Sequence, residues 1–130
     1  MTYQQHPLTT LAISYGEPLY RNYVAFFGGT GRAKVGITSN LKKRRHYYKQ
    51  ESTRHDLGEV TVEGVGMPLS KRAALLIERE ICRQLKDYAV PKHREWFVAG
   101  VDDFVGLVVL TRRFQEQLAE TLAAQKASHA

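Results

Sequence analysis

The alternation of apolar and polar positions predicts strands in the first half of the chain. The stretch "YVAFF" is rich in aromatic and β-branched residues, "GGTG" supplies the glycines of a tight turn, and "RAKVGIT" returns as a second strand. Val60, Val62 and Val65 recur within "EVTVEGVGM", which predicts a third strand. A further short extended stretch is expected at "EWFVAG".

Helical spacing of apolar residues predicts three helices. The first follows the polar pair at 39–40, either residue of which can cap it, and runs to about Gln50. The second is "SKRAALLIEREICRQLKDY", which ends before Pro91, and the third is capped by one of the aspartates at 102–103. The apolar positions of the third helix are Phe104, Leu107, Val108, Leu110, Phe114, Leu118 and Leu122.

This order of elements, ββαβα plus a C-terminal helix, predicts an α+β domain with a small, mainly antiparallel three-stranded sheet flanked by helices. We divide the chain into an N-terminal arm over residues 1–20, a core over residues 21–98 and a C-terminal amphipathic helix over residues 99–130. The apolar stripe of that helix is too long to leave in water. We therefore expect it to pack on the core or to pair with a second copy as a homodimer.

Composition excludes several classes of function. A chain of 130 residues with 43% hydrophobic residues suits one globular domain. Cys82 is the single cysteine, which excludes an intramolecular disulfide framework and a multi-cysteine zinc site. Phosphate-binding glycine loops, serine elbows and dinucleotide fingerprints are all missing from the sequence. The chain opens without the features of a signal peptide and has no apolar run of membrane-spanning length, so we expect a cytoplasmic protein.

The net charge of +6 is concentrated in one segment. Residues 32–54 hold eight lysines and arginines against one acid, Glu51, a local net charge of +7. Such a concentration is typical of a surface that contacts phosphates, although a solvated basic helix gives the same run of charges. Tyr47 and Tyr48 lie among these cations, and aromatic rings can stack on bases. The segment therefore favours a nucleic-acid partner.

Glu78 is a charged residue in an apolar position. On a helical wheel it falls in the middle of the arc formed by Ala74, Ile77, Ile81 and Leu85. A carboxylate on a buried face is costly unless it is paired or binds a metal. Two interpretations follow: an ion pair with an arginine of the first helix, or a ligand that faces the sheet and binds a hard divalent cation.

The first helix carries arginines toward the sheet if Leu41 points inward. Arg44 and Arg45 lie between Leu41 and Tyr48 at spacings of three and four residues, which share a helix face. A guanidinium held against the sheet can bind a phosphate with two hydrogen bonds. The alternative is that both arginines only face solvent or shield phosphate charge.

Tyr23 and Lys34 lie on the two strands of the hairpin, eleven residues apart. Pairing across the "GGTG" turn places both on one face, near the start of the first helix. A tyrosine hydroxyl and a lysine in that place can activate or orient a water molecule. The alternative is a packed strand aromatic and an ordinary edge-strand charge.

Taken in order, four segments resemble the motifs of the GIY-YIG endonuclease superfamily. They are "NYVAFFGGTGRAKVGIT", "SNLKKRR", "AALLIEREI" and "REWF". The likeness covers about residues 21–98 and is nearest to the phage and bacterial branch whose second motif reads Lys-Ile-Gly-x-Thr. The chain departs from the family at "RNY", which replaces Gly-Ile-Tyr, and at Lys34, which replaces the second tyrosine.

The resemblance implies a role for each candidate residue. It makes Tyr23 the general base, aided by a water, and Arg44 the residue that stabilises the phosphate. It makes Glu78 the ligand of one divalent ion, Mg²⁺ or Mn²⁺, that assists the leaving oxygen. Lys34 and Tyr48 complete the catalytic set. The cations expected to hold the DNA backbone are Lys42, Lys43, Arg45 and Lys49.

The sequence therefore predicts a divalent-metal-dependent DNA endonuclease that hydrolyses phosphodiester bonds. Two other interpretations stay open. One is a catalytically inactive GIY-YIG-like DNA-binding or regulatory module, and the other is a protein-interaction domain that works through its C-terminal helix. The complete set of Tyr, Lys, Arg and Glu favours the endonuclease over the inactive module, and the basic segment argues against the interaction domain.

Overall fold

The chain folds into five strands and three helices within residues 18–90, 93–98 and 101–128, which the computed structural model describes. The strands are β1 (Tyr20–Phe27), β2 (Arg32–Thr38), β3 (Val60–Leu69), β4 (Ala89–Val90) and β5 (His93–Val98). The helices are α1 (Leu41–His55), α2 (Lys71–Gln84) and α3 (Val101–Ser128), and a 3₁₀ turn covers Lys86–Tyr88. This order confirms the predicted α+β fold. Most of the predicted N-terminal arm lies outside the described residues, and β1 begins at its last residue.

The strands form one antiparallel sheet in the order β3-β1-β2-β5-β4. Three neighbouring strands at one side of this sheet, β3, β1 and β2, are the predicted three-stranded unit, and the extended stretch predicted near "EWFVAG" corresponds to β5. β5 pairs with β2 from Arg32 to Lys34. The hairpin register places Tyr23 opposite Gly36 on β2, and the pairing with β3 places it opposite Gly64.

Helices cover both faces of the sheet. Successive side chains of a strand point to opposite sides, so each strand contributes residues to both faces. On one face, which we name the α1 face, Tyr23, Ala25 and Phe27 of β1 pack with Tyr48 of α1. On the other, the α2/α3 face, Val24 of β1 packs with the buried residues of α2 and α3. These residues of α2 and α3 are Ala73, Ala74, Ile77, Ile81, Leu107 and Phe114.

Helices α1 and α2 begin where the sequence predicts, and α3 begins before its predicted cap. Asn40 accepts a hydrogen bond from the amide of Lys43 at 3.0 Å, and Ser70 accepts one from the amide of Ala73 at 3.1 Å. The third helix begins at Val101, so the aspartates at 102–103 lie inside its first turn and do not cap it. The prediction of the cap for α3 was wrong.

Helix α3 is fixed to the core by buried polar contacts as well as by its apolar residues. The amide nitrogen of Gln115 donates to Asn22 Oδ1 and to the carbonyl of Val65, both at 3.0 Å. Gly66 has a φ of 66°, and a Cβ at this position would overlap the Gln115 amide. The helix thus covers the core, while the homodimer stays a prediction.

None of the helices in the described part of the chain combines the length and apolar character that a membrane span requires.

Candidate functional site

A pair of buried tyrosines forms the centre of the site. Tyr23 comes from the middle of β1 and Tyr48 from the buried side of α1. Their hydroxyl oxygens lie 2.8 Å apart, a hydrogen bond in which either can donate. Each residue is 3% exposed, and the ring centroids are 5.9 Å apart. The strand and the helix are thereby joined at one point on the α1 face.

Gly36 provides the space for the Tyr23 side chain. It lies opposite Tyr23 in the hairpin, and the tyrosine ring crosses its backbone. A Cβ at position 36 would overlap both the ring and the hydroxyl of Tyr23. A glycine in the middle of a strand often marks such a close approach. The glycine of "KVGIT" is therefore required by the position of Tyr23.

A cation lies beside each ring. The guanidinium carbon of Arg44 is 6.0 Å from the centre of the Tyr23 ring, and Lys34 Nζ is 5.9 Å from the centre of the Tyr48 ring. Both distances are close to the upper limit for a cation–π contact, which is about 6 Å. The structure thus brings together four of the five predicted catalytic residues. We name Tyr23, Lys34, Arg44 and Tyr48 the tyrosine cluster.

The Tyr23 hydroxyl is neutral under ordinary conditions. Burial raises the pKa of Tyr23 well above its usual value, and the neighbouring Tyr48 adds to this effect. The positive charges of Lys34 and Arg44 act in the opposite direction, lowering the pKa, but they do not outweigh burial. At neutral pH the residue is therefore a hydroxyl rather than a phenolate.

The start of α1 determines where its arginines lie. Asn40, one of the two predicted caps, begins the helix, and Leu41 packs against the α1-face core, which meets the condition set for arginines directed toward the sheet. Arg44 is half-buried beside Tyr23. Arg45 Nε donates to the carbonyl of Val62 at 3.0 Å, so this residue also fastens α1 to β3. Of the other predicted DNA-binding cations, Lys42, Lys43 and Lys49 are exposed.

Glu78 lies in the other layer of the molecule. It is 9% exposed and shares the buried side of α2 with Ala74, Ile77 and Ile81, as the helical wheel predicts. Helix α2 packs on the α2/α3 face, whereas α1 packs on the α1 face. Glu78 and the tyrosine cluster therefore come from opposite layers of the domain.

Glu78 is a suitable donor for one type of metal ion. Within the residues that the structure describes, no group of three or more His, Cys, Asp and Glu side chains converges on a metal-sized site. Mg²⁺ is commonly held by one or two carboxylates and completes its coordination with water and substrate phosphates. A single buried carboxylate fits such an ion and does not fit a structural zinc site.

Arg21 and Asn22 directly precede Tyr23, and the sequence marks them only as a departure from the family motif. Arg21 lies on the same face as Tyr23 and donates to the carbonyl of Gly66 at 3.2 Å. Its Nε is buried and has no hydrogen-bond partner in the described part of the chain. Asn22 is 2% exposed and donates to the carbonyl of Ala74, one helical turn before Glu78, at 3.0 Å. The sequence feature that could have identified Asn22 is its polar side chain within an otherwise apolar strand.

Comparison with known proteins gives one match. The T5orf172 domain profile matches residues 22–119, from β1 into α3. This domain is found in phage and nuclease-like proteins and is associated with DNA interaction. The matched region includes the whole tyrosine cluster and Glu78. Searches of curated proteins and of solved structures give no match.

Proposed function

The chain belongs to the T5orf172 domain family, and we propose that it is a divalent-metal-dependent endonuclease that hydrolyses phosphodiester bonds in DNA. The observation that supports this most is the tyrosine cluster, in which a hydrogen-bonded pair of hydroxyls lies beside one arginine and one lysine. The resemblance to the GIY-YIG endonucleases gives the same four residues roles in phosphate hydrolysis. Three of the four residues of the cluster also lie within the most basic segment of the chain, residues 32–54.

Arg44 is the residue that we assign to the scissile phosphate. The residue is half-buried and its guanidinium lies beside Tyr23, where solvent screening is weaker than at the surface. A guanidinium can donate two parallel hydrogen bonds to phosphate oxygens and stabilise the charge that grows on them in the transition state. The exposed Lys42, Lys43 and Lys49 then hold the flanking backbone.

Tyr23 is assigned to the proton that leaves the attacking water. Because the pKa of Tyr23 is raised by burial, its oxygen can take that proton only if its own hydroxyl proton moves on. The Tyr48 hydroxyl, 2.8 Å away, is in place to receive it and to release its own proton to solvent water, so that the attacking water loses one proton and both tyrosines end neutral. Lys34 and Arg44 favour this transfer because they oppose the effect of burial.

Glu78 is assigned to the divalent ion. Mg²⁺ or Mn²⁺ bound there would supply Lewis-acid chemistry. Helix α2 packs on the face of the sheet opposite the tyrosine cluster, so this assignment rests on the resemblance and on the burial of the carboxylate rather than on proximity to the cluster. The contribution of the chain itself is a buried carboxylate on a helix that is tied to β1, since Asn22 donates to α2 at the carbonyl of Ala74. This contact limits how far Glu78 can move relative to Tyr23.

Cleavage of supercoiled plasmid tests the proposal. We expect the wild-type chain to nick or linearise the plasmid with Mg²⁺ or Mn²⁺ and to be inactive in EDTA. Glu78→Gln should lose at least about 100-fold in rate, because the carboxylate that holds the ion is removed. Glu80→Gln is the matched control: the same change on the same helix affects a surface ion pair with Arg83 and an exposed hydrogen bond from Gln84, and its rate should stay near wild type.

One observation favours a second candidate, a module that binds DNA without cutting it. Both hydroxyls of the cluster are nearly buried, and a buried tyrosine pair can also be purely structural. Under this alternative the wild-type chain binds DNA but leaves plasmid intact with either metal. That result would overturn the endonuclease and support the module.

A further inference from the structure

A second basic surface lies beside helix α2, away from the tyrosine cluster. It is an open cleft of about 620 Å³. Its lining includes Lys71, Arg72 and Arg79, the ring of Tyr20, and the aliphatic side chains of Leu75 and Leu76. We name it the α2 groove. We propose that the α2 groove binds the phosphate backbone of DNA, as a second contact surface in addition to α1. The proposal rests on the proposed function for the choice of DNA as the ligand.

The position of the groove separates it from the basic segment at residues 32–54. Tyr20 is the first residue of β1 and packs against the α2/α3-face core. Helix α2 begins directly after β3, whose last residue, Leu69, is opposite Tyr20 in the sheet. Since α1 covers the other face of the sheet, the two basic surfaces belong to opposite layers.

The positive charges of the groove are not balanced, among the described residues, by the acidic side chains that commonly accompany them. The first turn of a helix favours acidic side chains, because the N-terminal end of the helix dipole is positive. The first turn of α2 contains none, and it carries Lys71 and Arg72 instead. Salt bridges formed between described residues involve Arg54, His55 and Arg83 and none of the three groove cations. The groove therefore has a local positive potential that favours an anion.

The shape of the groove indicates a polymer rather than a small anion. Lys71 Nζ lies over the Tyr20 ring, 5.7 Å from its centre, which holds the ammonium at one end of the groove. Arg79 follows eight residues later, about 12 Å along the helix axis. Phosphates of one DNA strand recur about every 3.4 Å along the duplex axis. Such a row of cations thus spans several phosphates, and the exposed Leu76 offers an apolar contact to the sugars.

A salt titration of DNA binding tests the groove. The full chain and a duplex are mixed in EDTA, so that no cleavage takes place, and the dissociation constant is measured at increasing salt. The test variant is Lys71→Gln/Arg72→Gln/Arg79→Gln. The matched control, Lys86→Gln/Arg112→Gln/Arg113→Gln, removes the same charge from other exposed positions. Each lost phosphate contact reduces the slope of log affinity against log salt by about 0.9.

We expect the test variant to make that negative slope shallower by about 2 to 3. The control should change the slope by less than half as much. If the two triple variants give equal slopes, the groove does not bind DNA. Should the test variant melt well below wild type, Arg79→Gln alone replaces it, with an expected reduction of about 0.9. Plasmid cleavage is scored separately with metal: an inactive wild type overturns the proposed function, whereas equal slopes overturn only the groove.

Discussion

Gly36 shows at the scale of one residue how strand geometry makes room for the site. The Tyr23 ring crosses the Gly36 backbone, so Gly36→Ala forces the ring or the strand to move. We expect the variant to lose roughly 1 to 3 kcal/mol of unfolding free energy from overpacking and most of its cleavage activity. Chemical denaturation and plasmid cleavage measure the two effects.

Gly106→Ala is the matched control for that substitution. Gly106 lies in helix α3, and among the described residues a Cβ there meets no atom within 4 Å apart from its chain neighbours and the backbone of its own helix. The same change should stabilise the chain by about 0.5 to 1 kcal/mol, because glycine is unfavourable inside a helix. Equal effects of the two substitutions would show that the Tyr23 ring has no special need of Gly36.

Much of the tyrosine cluster could be predicted from residue spacing. The eleven-residue separation of Tyr23 and Lys34 placed both on one face of the hairpin, and helical spacing placed Arg44 and Tyr48 against it. The 2.8 Å hydroxyl pair could not be predicted, because it depends on how α1 crosses the sheet. For the same reason the hydrogen bond from Arg45 to the Val62 carbonyl could not be predicted.

At the scale of elements, Gln115 is the polar residue that fixes α3 to the sheet. Gln115→Ala would leave Asn22 Oδ1 and the Val65 carbonyl without these hydrogen bonds in a buried place. We expect a loss of about 2 to 3 kcal/mol in unfolding free energy. Gln117→Ala, at an exposed position of the same helix, should change it by less than about 0.5 kcal/mol. A similar loss from both would contradict the anchoring role of Gln115.

Element boundaries were harder to predict than the elements themselves. The prediction ended α1 near Gln50, because no apolar residue marks the turns beyond it. The structure extends the helix to His55, and Glu51 pairs there with Arg54 and with His55, each at 3.3 Å. Asp56 then ends it with a φ of 51°. A pattern of hydrophobic positions contains no information on such polar contacts.

At the scale of the whole molecule, the sheet separates two basic surfaces. The count of charges along the chain identified residues 32–54, because their cations are contiguous. It did not identify the α2 groove, because the adjacent Lys71 and Arg72 are separated from Arg79 by five apolar residues and one acid. Only the helical geometry and the position of Tyr20 bring them together. We infer that DNA contacts both layers of the domain.

We propose the tyrosine cluster as the site of phosphodiester hydrolysis. Its most direct test is the rate of plasmid cleavage by Tyr23→Phe, measured with Mg²⁺ at saturating protein. This change removes the hydroxyl that meets Tyr48 and keeps the ring that packs on Gly36. With DNA affinity and the melting temperature near wild type, we predict a rate at least about 100-fold lower, as expected for loss of a general base. A rate equal to wild type would contradict the claim.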